Sequence, residues 1–155
     1  MAARILNTGF EAIIALLAAN FLAQYYKYAH ARIKTGQWNI SVLYTTGGMP
    51  SSHSSTVTAL STSVGLVAGW DTPVFAVALC FTFITMYDAA GLRRAAGLQA
   101  QALNQVVKEL LAPEHRLNHE KLKELLGHTP REVIGGAVLG VAVSLALRGL
   151  LLLLA

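Results

Sequence analysis

Residues Glu132 to Ala155 read E-V-I-G-G-A-V-L-G-V-A-V-S-L-A-L-R-G-L-L-L-L-L-A, and this stretch decides the fold class. A helix that crosses a bilayer needs about 20 consecutive, predominantly apolar residues. The stretch meets that length, and Arg148 is the only charged residue after its opening glutamate. It therefore predicts a membrane-spanning helix.

Three earlier segments have the same character to different degrees. They run from about Ile5 to Tyr26, from about Ser54 to Trp70 and from about Thr72 to Ala90. The middle segment is the least hydrophobic because it is rich in Ser and Thr, but small residues let helices approach closely inside a bundle. The sequence thus predicts an all-α, polytopic membrane helical bundle with about four transmembrane helices.

The composition favours a membrane protein over a soluble domain. Hydrophobic residues make up 54% of the 155 residues and charged residues only 13%, and the mean hydropathy is +0.51. A soluble domain carries roughly 25% charged residues. We expect one membrane-embedded domain over residues 1–155, with no nucleic-acid partner. The apolar stretch near the N-terminus is interpreted as a retained helix instead of a cleaved signal peptide, and the single cysteine, Cys80, as a packing residue.

A polar stretch from about Arg93 to Arg131 separates the third and fourth apolar segments. Apolar residues recur there every four positions, which predicts an amphipathic helix. These residues are Leu98, Ala102, Val106 and Leu110. Pro113 ends that helix, and a second short helix is predicted before Gly127. We expect this helical hairpin to lie at the membrane interface or to cap the bundle.

Positive charge falls on one side of the predicted bundle. If four helices span the membrane, every lysine and arginine except Arg4 and Arg148 lies on the same face. Positively charged loops stay on the cytoplasmic side. The polar segments are therefore expected to be cytoplasmic, and they offer a basic surface to anionic lipids.

Two pairs of residues indicate how the helices pack. Gly136 and Gly140 form a G-x-x-x-G pattern, which predicts a helix-packing surface, either within the chain or between two copies in a homo-oligomer. Glu11 and Arg148 are charges within apolar helices. They either form an ion pair or reach the interface separately.

The first candidate for chemistry is Gly47-Gly48-Met49-Pro50-Ser51-Ser52-His53-Ser54, ahead of the second helix. Glycines allow a tight loop, and Ser51 or Ser52 can cap the helix. Free backbone N–H groups at a helix N-terminus bind anions, and His53 could protonate a leaving oxygen there. The alternative interpretation is an ordinary turn with a capping serine.

The second candidate is Asp88-Ala89-Ala90-Gly91-Leu92-Arg93-Arg94, at the end of the third helix. Paired arginines can grip a phosphate, and Asp88 could orient one of them. On these residues alone, a positively charged anchor at the cytoplasmic membrane surface is the favoured interpretation.

The third candidate is Gly127-His128-Thr129-Pro130-Arg131-Glu132, which opens the fourth helix. His128 and Glu132 are four residues apart, the spacing of neighbours on one helix face. A carboxylate bonded to one imidazole nitrogen makes the other nitrogen a better nucleophile. The alternative is a simple helix start, with Glu132 placed to favour the N-terminal dipole.

These three motifs together resemble the type 2 phosphatidic acid phosphatase superfamily, which includes the vanadium haloperoxidases. Pro50-Ser51-Ser52-His53 is similar to its P-S-G-H motif, and His128-x3-Glu132 to its H-x3-D. The whole chain resembles the divergent bacterial and plastid branch. That branch has G-G-M-P-S-S-H-S, D-x-x-G-x-R-R-x-A-G-x-Q-A-x-x-L-N and L-G-H-x-P-x-E-V, and all three strings are present.

The resemblance implies a role for each matching residue. His128 would attack phosphorus, Glu132 would orient it, and His53 would protonate the leaving alkoxide. The substrate phosphate would be held by Ser51, Ser52, Arg93, Arg94 and a lysine, for which Lys27 is preferred to Lys34. It also implies a phosphatase that needs neither metal nor cofactor, in a bacterial inner membrane or plastid-type membrane.

The chain departs from the superfamily pattern at three places. Ser52 replaces the glycine of P-S-G-H, and Glu132 replaces an aspartate. The arginines and His128 lie more than 30 residues apart instead of six, so the predicted hairpin between them would have to loop out.

Outside the motifs, His115 and His119 are four residues apart. That spacing alone is a weak metal signal, and solvated surface histidines are the preferred interpretation.

We therefore expect hydrolysis of a phosphomonoester on a membrane lipid through a phosphohistidine. Phosphatidylglycerophosphate, phosphatidic acid and prenyl phosphates all fit as substrates. The alternative is a non-catalytic lipid-phosphate binder, or a scaffold that assembles through Gly136 and Gly140.

Overall fold

The computed structural model of the chain describes residues 2–36, 48–110 and 127–155, without the side chains of residues 92–94 and 109. Within these ranges the secondary structure is helical. After a short 3-10 turn at Ala2–Arg4, the helices are α1 (Gly9–Thr35), α2 (Ser52–Ala68), α3 (Pro73–Ala90), α4 (Leu92–Leu110) and α5 (Pro130–Leu154). The all-α prediction is confirmed for this part of the chain.

Local sequence signals explain where most helices begin and end. Ser51, Thr72 and Thr129 each accept a hydrogen bond from a backbone N–H in the first turn that follows, as expected of N-cap residues. α1 ends at Gly36, whose φ of 71° is left-handed and suits a glycine. α1 continues past the predicted end at Tyr26 because the polar residues that follow it are also good helix formers.

α2 lies at the centre of the bundle and packs against α1, α3 and α5. More than half of its residues are buried, and most of these are Ser, Thr or Ala. Side-chain hydroxyls join it to its neighbours: Thr82 donates to the carbonyl of Val57, and Ser144 to that of Ala59, at 2.9 and 2.8 Å. The helix with the lowest predicted hydropathy is therefore the core of the bundle.

Gly136 and Gly140 allow α5 to lie directly against α2. A Cβ atom at Gly136 would come within 2.3 Å of the Ser51 carbonyl oxygen, and one at Gly140 within 2.3 Å of the Ser55 carbonyl oxygen. Both glycines are buried. The G-x-x-x-G surface is thus used for packing within the chain, and the homo-oligomer contact through these two glycines stays a prediction.

The bundle has an apolar exterior and a polar interior. Large side chains that are more than half exposed line the outer faces of α1, α3 and α5, among them Phe21, Phe83 and Leu153. Buried positions are instead dominated by Ala, Ser and Thr. α5 has 25 residues, and at about 1.5 Å per residue it is longer than a hydrocarbon core of roughly 30 Å.

Two helical stretches of the described chain are long and apolar enough to cross a membrane. The first begins at Pro73, and the second is α5. The prediction of four spanning helices stays a prediction, since α1 carries charges and α2 has only 17 residues.

An ion pair joins α1 to α5 at the end of the bundle remote from Lys27. Arg148 Nη1 donates to Glu11 Oε1 at 3.0 Å, and Arg148 Nη2 donates to Asn7 Oδ1 at 3.0 Å. Glu11 is only 1% exposed. Of the two interpretations of these charges, the ion pair is confirmed. It fixes α1 and α5 as antiparallel neighbours.

α4 follows α3 after the single residue Gly91. Its apolar residues Leu98, Val106 and Leu110 share one face and are about half exposed or more, so the amphipathic helix is confirmed. The predicted second helix of the hairpin, near Leu122 to Leu126, lies outside the described residues.

The close approach of α2 and α5 can be tested with a pair of glycine substitutions. In Gly140→Ala the new Cβ would meet backbone atoms of α2 that cannot move independently, so the folded state should lose about 2 kcal/mol or more. Gly149→Ala is the matched control, because nothing lies within 4 Å of its Cβ position and alanine favours a helix over glycine by roughly 0.5–1 kcal/mol. The measurement is the unfolding midpoint in detergent. Equal midpoints for the two variants would contradict the packing.

Candidate active site

His128 is held in place immediately before α5. Its backbone N–H donates to the carbonyl of Ala89, at the end of α3, over 3.1 Å. Its side chain is only 2% exposed. The chain that leaves α3 through α4 therefore returns to α3 at this residue.

The imidazole of His128 is oriented by Glu132. His128 Nδ1 lies 3.2 Å from Glu132 Oε2, and that oxygen also accepts a hydrogen bond from the backbone N–H of Thr129 at 3.0 Å. Thr129 Oγ1 in turn accepts from the Glu132 N–H, which completes a capping box. Both interpretations of Glu132 are thus correct: it caps the helix start and it contacts the imidazole. Nδ1 is thus the imidazole nitrogen that contacts the carboxylate.

The Ser51–His53 segment is joined to the same point. The backbone N–H of Ser51 donates to the Glu132 carbonyl at 2.9 Å, and Ser51 and Ser52 are 0% and 5% exposed. Of the two serines, Ser51 is the N-cap, since its Oγ accepts from Ser54 N. The N-termini of α2 and α5 therefore meet, and both present backbone N–H groups and positive dipole ends to one place.

The two predicted catalytic histidines are neighbours. The ring centroids of His53 and His128 are 5.8 Å apart, with the planes inclined at 65°. His53 lies in the first turn of α2 and His128 just before α5, so the contact between the two helix starts brings the rings together.

Lys27 also belongs to this group. Its Nζ donates to Ser52 Oγ at 3.3 Å, and the residue is 7% exposed. Lys27 follows the predicted span Ile5–Tyr26. Burial lowers the pKa of its ammonium group from the ordinary value, and the Glu132 carboxylate partly opposes that shift. Lys34, two turns further along α1, is exposed. The geometry thus places Lys27 beside Ser52 and close enough to Glu132 to feel its charge, while Lys34 is exposed; phosphate binding by Lys27 stays a prediction.

Arg93 and Arg94 follow closely in sequence after a residue that contacts His128. Arg93 and Arg94 open α4 only a few residues after Ala89, whose carbonyl contacts His128. The contact between Ala89 and His128 brings the chain just ahead of the arginines next to His128, although more than 30 residues separate them in sequence. The arginine side chains are outside the described atoms, so their grip on phosphate stays a prediction. The same holds for the orienting role of Asp88, which is half-buried in the last turn of α3.

Within the described ranges, no group of three or more His, Cys, Asp or Glu side chains is arranged to hold a metal. His115 and His119 lie outside those ranges.

Two comparisons relate the sequence to known proteins. The family model described as "Divergent PAP2 family" matches residues 9–143. The chain belongs to this family. The resemblance drawn from the three sequence motifs is therefore confirmed, and the matched region contains Lys27, both histidines and Glu132.

A relative has a similar sequence over most of its length. The "Uncharacterized membrane protein YuiD" of Bacillus subtilis (strain 168) is 42% identical over 145 residues, which cover 87% of this chain and 92% of the relative. No solved structure matches the chain.

Sequence reasoning missed three contacts that assemble the site: Ala89 with His128, Ser51 with Glu132, and Lys27 with Ser52. Each joins residues from different helices, and two of the three involve only backbone atoms. The i,i+4 pair of His128 and Glu132 was visible in the sequence, but the contacts of the site residues with other helices were not.

The role of Lys27 can be tested against that of Lys34. Lys27→Met removes a buried cation beside Ser52, so affinity for vanadate, a phosphate mimic, should fall about tenfold or more, the size expected from a charge-assisted hydrogen bond. Lys34→Met should leave the affinity within about twofold. Because the pKa of Lys27 is lowered, its ammonium group should lose its proton at a lower pH than an exposed lysine does. As the pH is raised, vanadate affinity of the wild type should therefore begin to fall at a lower pH than an exposed lysine would predict. Equal losses for both variants, measured by calorimetric titration, would exclude Lys27 from the site.

Proposed function

We propose that this protein is an integral membrane phosphatase that hydrolyses a lipid phosphomonoester through a phosphohistidine. The proximity of His53 and His128, with Glu132 on Nδ1 of His128, is the observation that carries the proposal. Membership of the Divergent PAP2 family supports the reaction class.

A membrane location is supported by three observations. The outer faces of α1, α3 and α5 expose large apolar side chains, while the interior is built from small and hydroxyl-bearing residues. In lipid, an apolar exterior around a core of small and hydroxyl-bearing residues is favourable, because helix packing there depends on small residues and hydrogen bonds. Two helical stretches satisfy the length and apolarity of a membrane span, and the Bacillus relative is named a membrane protein.

In the first chemical step, His128 Nε2 attacks phosphorus and the bond from phosphorus to the ester oxygen breaks. His53 donates its proton to the departing alkoxide. Glu132 holds the His128 ring and stabilises the positive charge that develops on it. The products of this step are the free lipid alcohol and a phosphohistidine.

In the second step, a water molecule attacks the phosphohistidine and gives its proton to His53. Inorganic phosphate leaves, and both histidines return to their starting states. Charge on the phosphate oxygens is stabilised by Lys27, Arg93 and Arg94, by Ser51 and Ser52, and by the N-terminal N–H groups of α2. These groups supply positive charge from the chain itself, so the proposed reaction is metal-independent.

The substrate is proposed to be a lipid phosphate presented on the cytoplasmic side. The second half of α1, the stretch between α3 and α5, and the first turn of α5 together carry ten of the twelve lysines and arginines. Positively charged segments of this kind remain cytoplasmic. Phosphatidylglycerophosphate, phosphatidic acid and prenyl phosphates share the required monoester. Of these, phosphatidylglycerophosphate best fits synthesis in the cytoplasmic leaflet.

The scaffold alternative would assemble two copies through Gly136 and Gly140, and in this chain both glycines pack against α2. A non-catalytic lipid-phosphate binder would use the same cations and helix N-termini. It differs from the phosphatase in one respect: it has no need of His128 as a nucleophile.

Phosphate release from a panel of lipid phosphates in detergent, with EDTA present, tests the proposal. His128→Ala should abolish turnover, and His53→Ala should reduce it about 10²–10⁴-fold, the usual contribution of a general acid. His30→Ala is the matched control, since His30 is exposed on α1 and stacked on Tyr26. It should retain full activity.

Vanadate should inhibit the wild-type reaction. Activity that survives in His128→Ala would remove the phosphohistidine mechanism. Vanadate binding without release of phosphate from any lipid, in protein shown to be folded, would favour the non-catalytic binder.

A further inference from the structure

An apolar groove of about 570 Å³ runs between α1 and α5 beside the candidate active site. Its walls are aliphatic side chains and two tyrosines, with Met49 and Pro50 at one end. Its volume lies within the roughly 300–1,000 Å³ of typical small-molecule sites.

One end of the groove adjoins the groups proposed to hold the phosphate. Pro50 directly precedes the buried Ser51, and the lining residue Tyr26 directly precedes Lys27. On α5, the lining residue Gly135 is three residues beyond Glu132, less than one helical turn. A ligand whose phosphate lies at Lys27 and His128 could therefore extend directly into the groove.

The other end of the groove lies deeper between the two helices. The lining residues run from Gly135 to Ala142 on α5 and from Leu22 to Ala29 on α1, and the helices are antiparallel. Seven residues at about 1.5 Å each give a length of roughly 10 Å. An extended alkyl chain with carbon–carbon bonds of about 1.5 Å advances about 1.3 Å per methylene. A groove of this length therefore accommodates roughly eight methylenes.

The mouth of the groove depends on Gly135 and Met49. A Cβ atom at Gly135 would come within 3.0 Å of Met49 Cε, so the absent side chain leaves room for the methionine. Met49 is 57% exposed, and its unbranched thioether adapts readily to the shape of a neighbour. The mouth can thus accept an alkyl chain without displacement of the backbone.

We propose that this groove holds one hydrocarbon chain of the lipid phosphate, next to the phosphate group. The inference rests on the proposed function, since it is the phosphate at His128 that places the chain. The groove takes the first eight or so carbons of a single chain. Any second chain of the substrate stays in the surrounding bilayer.

The test is photo-crosslinking with a phosphatidic acid that carries a diazirine within the first eight carbons of one acyl chain, using full-length protein in nanodiscs. Peptide mass spectrometry should place most of the label within 22–29 and 135–142. Unlabelled phosphatidic acid should displace that label, whereas phosphatidylcholine with the same chains should not, because only the former offers a phosphomonoester.

Val138→Trp and Val77→Trp form a matched pair for this measurement. Val138 lines the groove and is 65% exposed, while Val77 is 69% exposed on α3 and is not a lining residue. Tryptophan at 138 should reduce the displaceable label about tenfold, whereas tryptophan at 77 should leave it unchanged.

The dependence of turnover on acyl-chain length gives a second measurement. In the wild type, kcat/KM should rise roughly fourfold for each methylene added to the acyl chain, equivalent to about 0.8 kcal/mol each, and level off near eight carbons. In Val138→Trp that dependence should flatten.

The outcomes separate this proposal from the phosphatase. Label spread evenly over the lipid-facing helices and insensitive to unlabelled phosphatidic acid would overturn the groove, even if phosphate is released. Label confined to the groove and displaced by phosphatidic acid supports it. If that label is found but no lipid is hydrolysed, the groove stands and the proposed phosphatase activity fails.

Discussion

The structure depends on the direct backbone contact between the starts of α2 and α5. Ser51 N–H donates to the Glu132 carbonyl at 2.9 Å, and Gly136, one turn further along α5, has no side chain to hold the two helices apart. A Cβ atom at Gly136 would collide with the carbonyl oxygen of Ser51. The site exists because these helices begin at the same place, and they can do so only where one of them has glycine.

The same contact determines the electrostatics of the site. Two helix N-termini converge, Lys27 is buried beside Ser52, and Arg93 and Arg94 follow closely after Ala89 in the chain. Positive charge at such density is costly to desolvate unless an anion compensates it. The Glu132 carboxylate supplies part of that compensation, and a bound phosphate would supply more. An arrangement that favours a dianion next to two histidines is suited to phosphoryl transfer.

Much of this could be predicted from the sequence because the signals are local. The pair His128 and Glu132, a serine cap at Ser51 or Ser52, the end of α3 near Ala90 and the amphipathic α4 each depend on residues a few positions apart. The contacts between helices could not be predicted in this way. Hydropathy alone would place α1's end at Tyr26, because it does not detect a polar helix that continues to Gly36. The G-x-x-x-G pattern predicted close packing but did not say whether α2 or a second copy was the partner.

The most direct test of the account is to trap the phosphohistidine. Wild-type protein would be mixed with a lipid phosphate for a fraction of one turnover, quenched at alkaline pH, where phosphohistidine survives, and digested for mass spectrometry. The account predicts a phosphoryl group on His128 at levels that rise and then decay as substrate is consumed, and none in His128→Ala. Turnover with no phosphorylated histidine, or with the phosphoryl group on another residue, would contradict it.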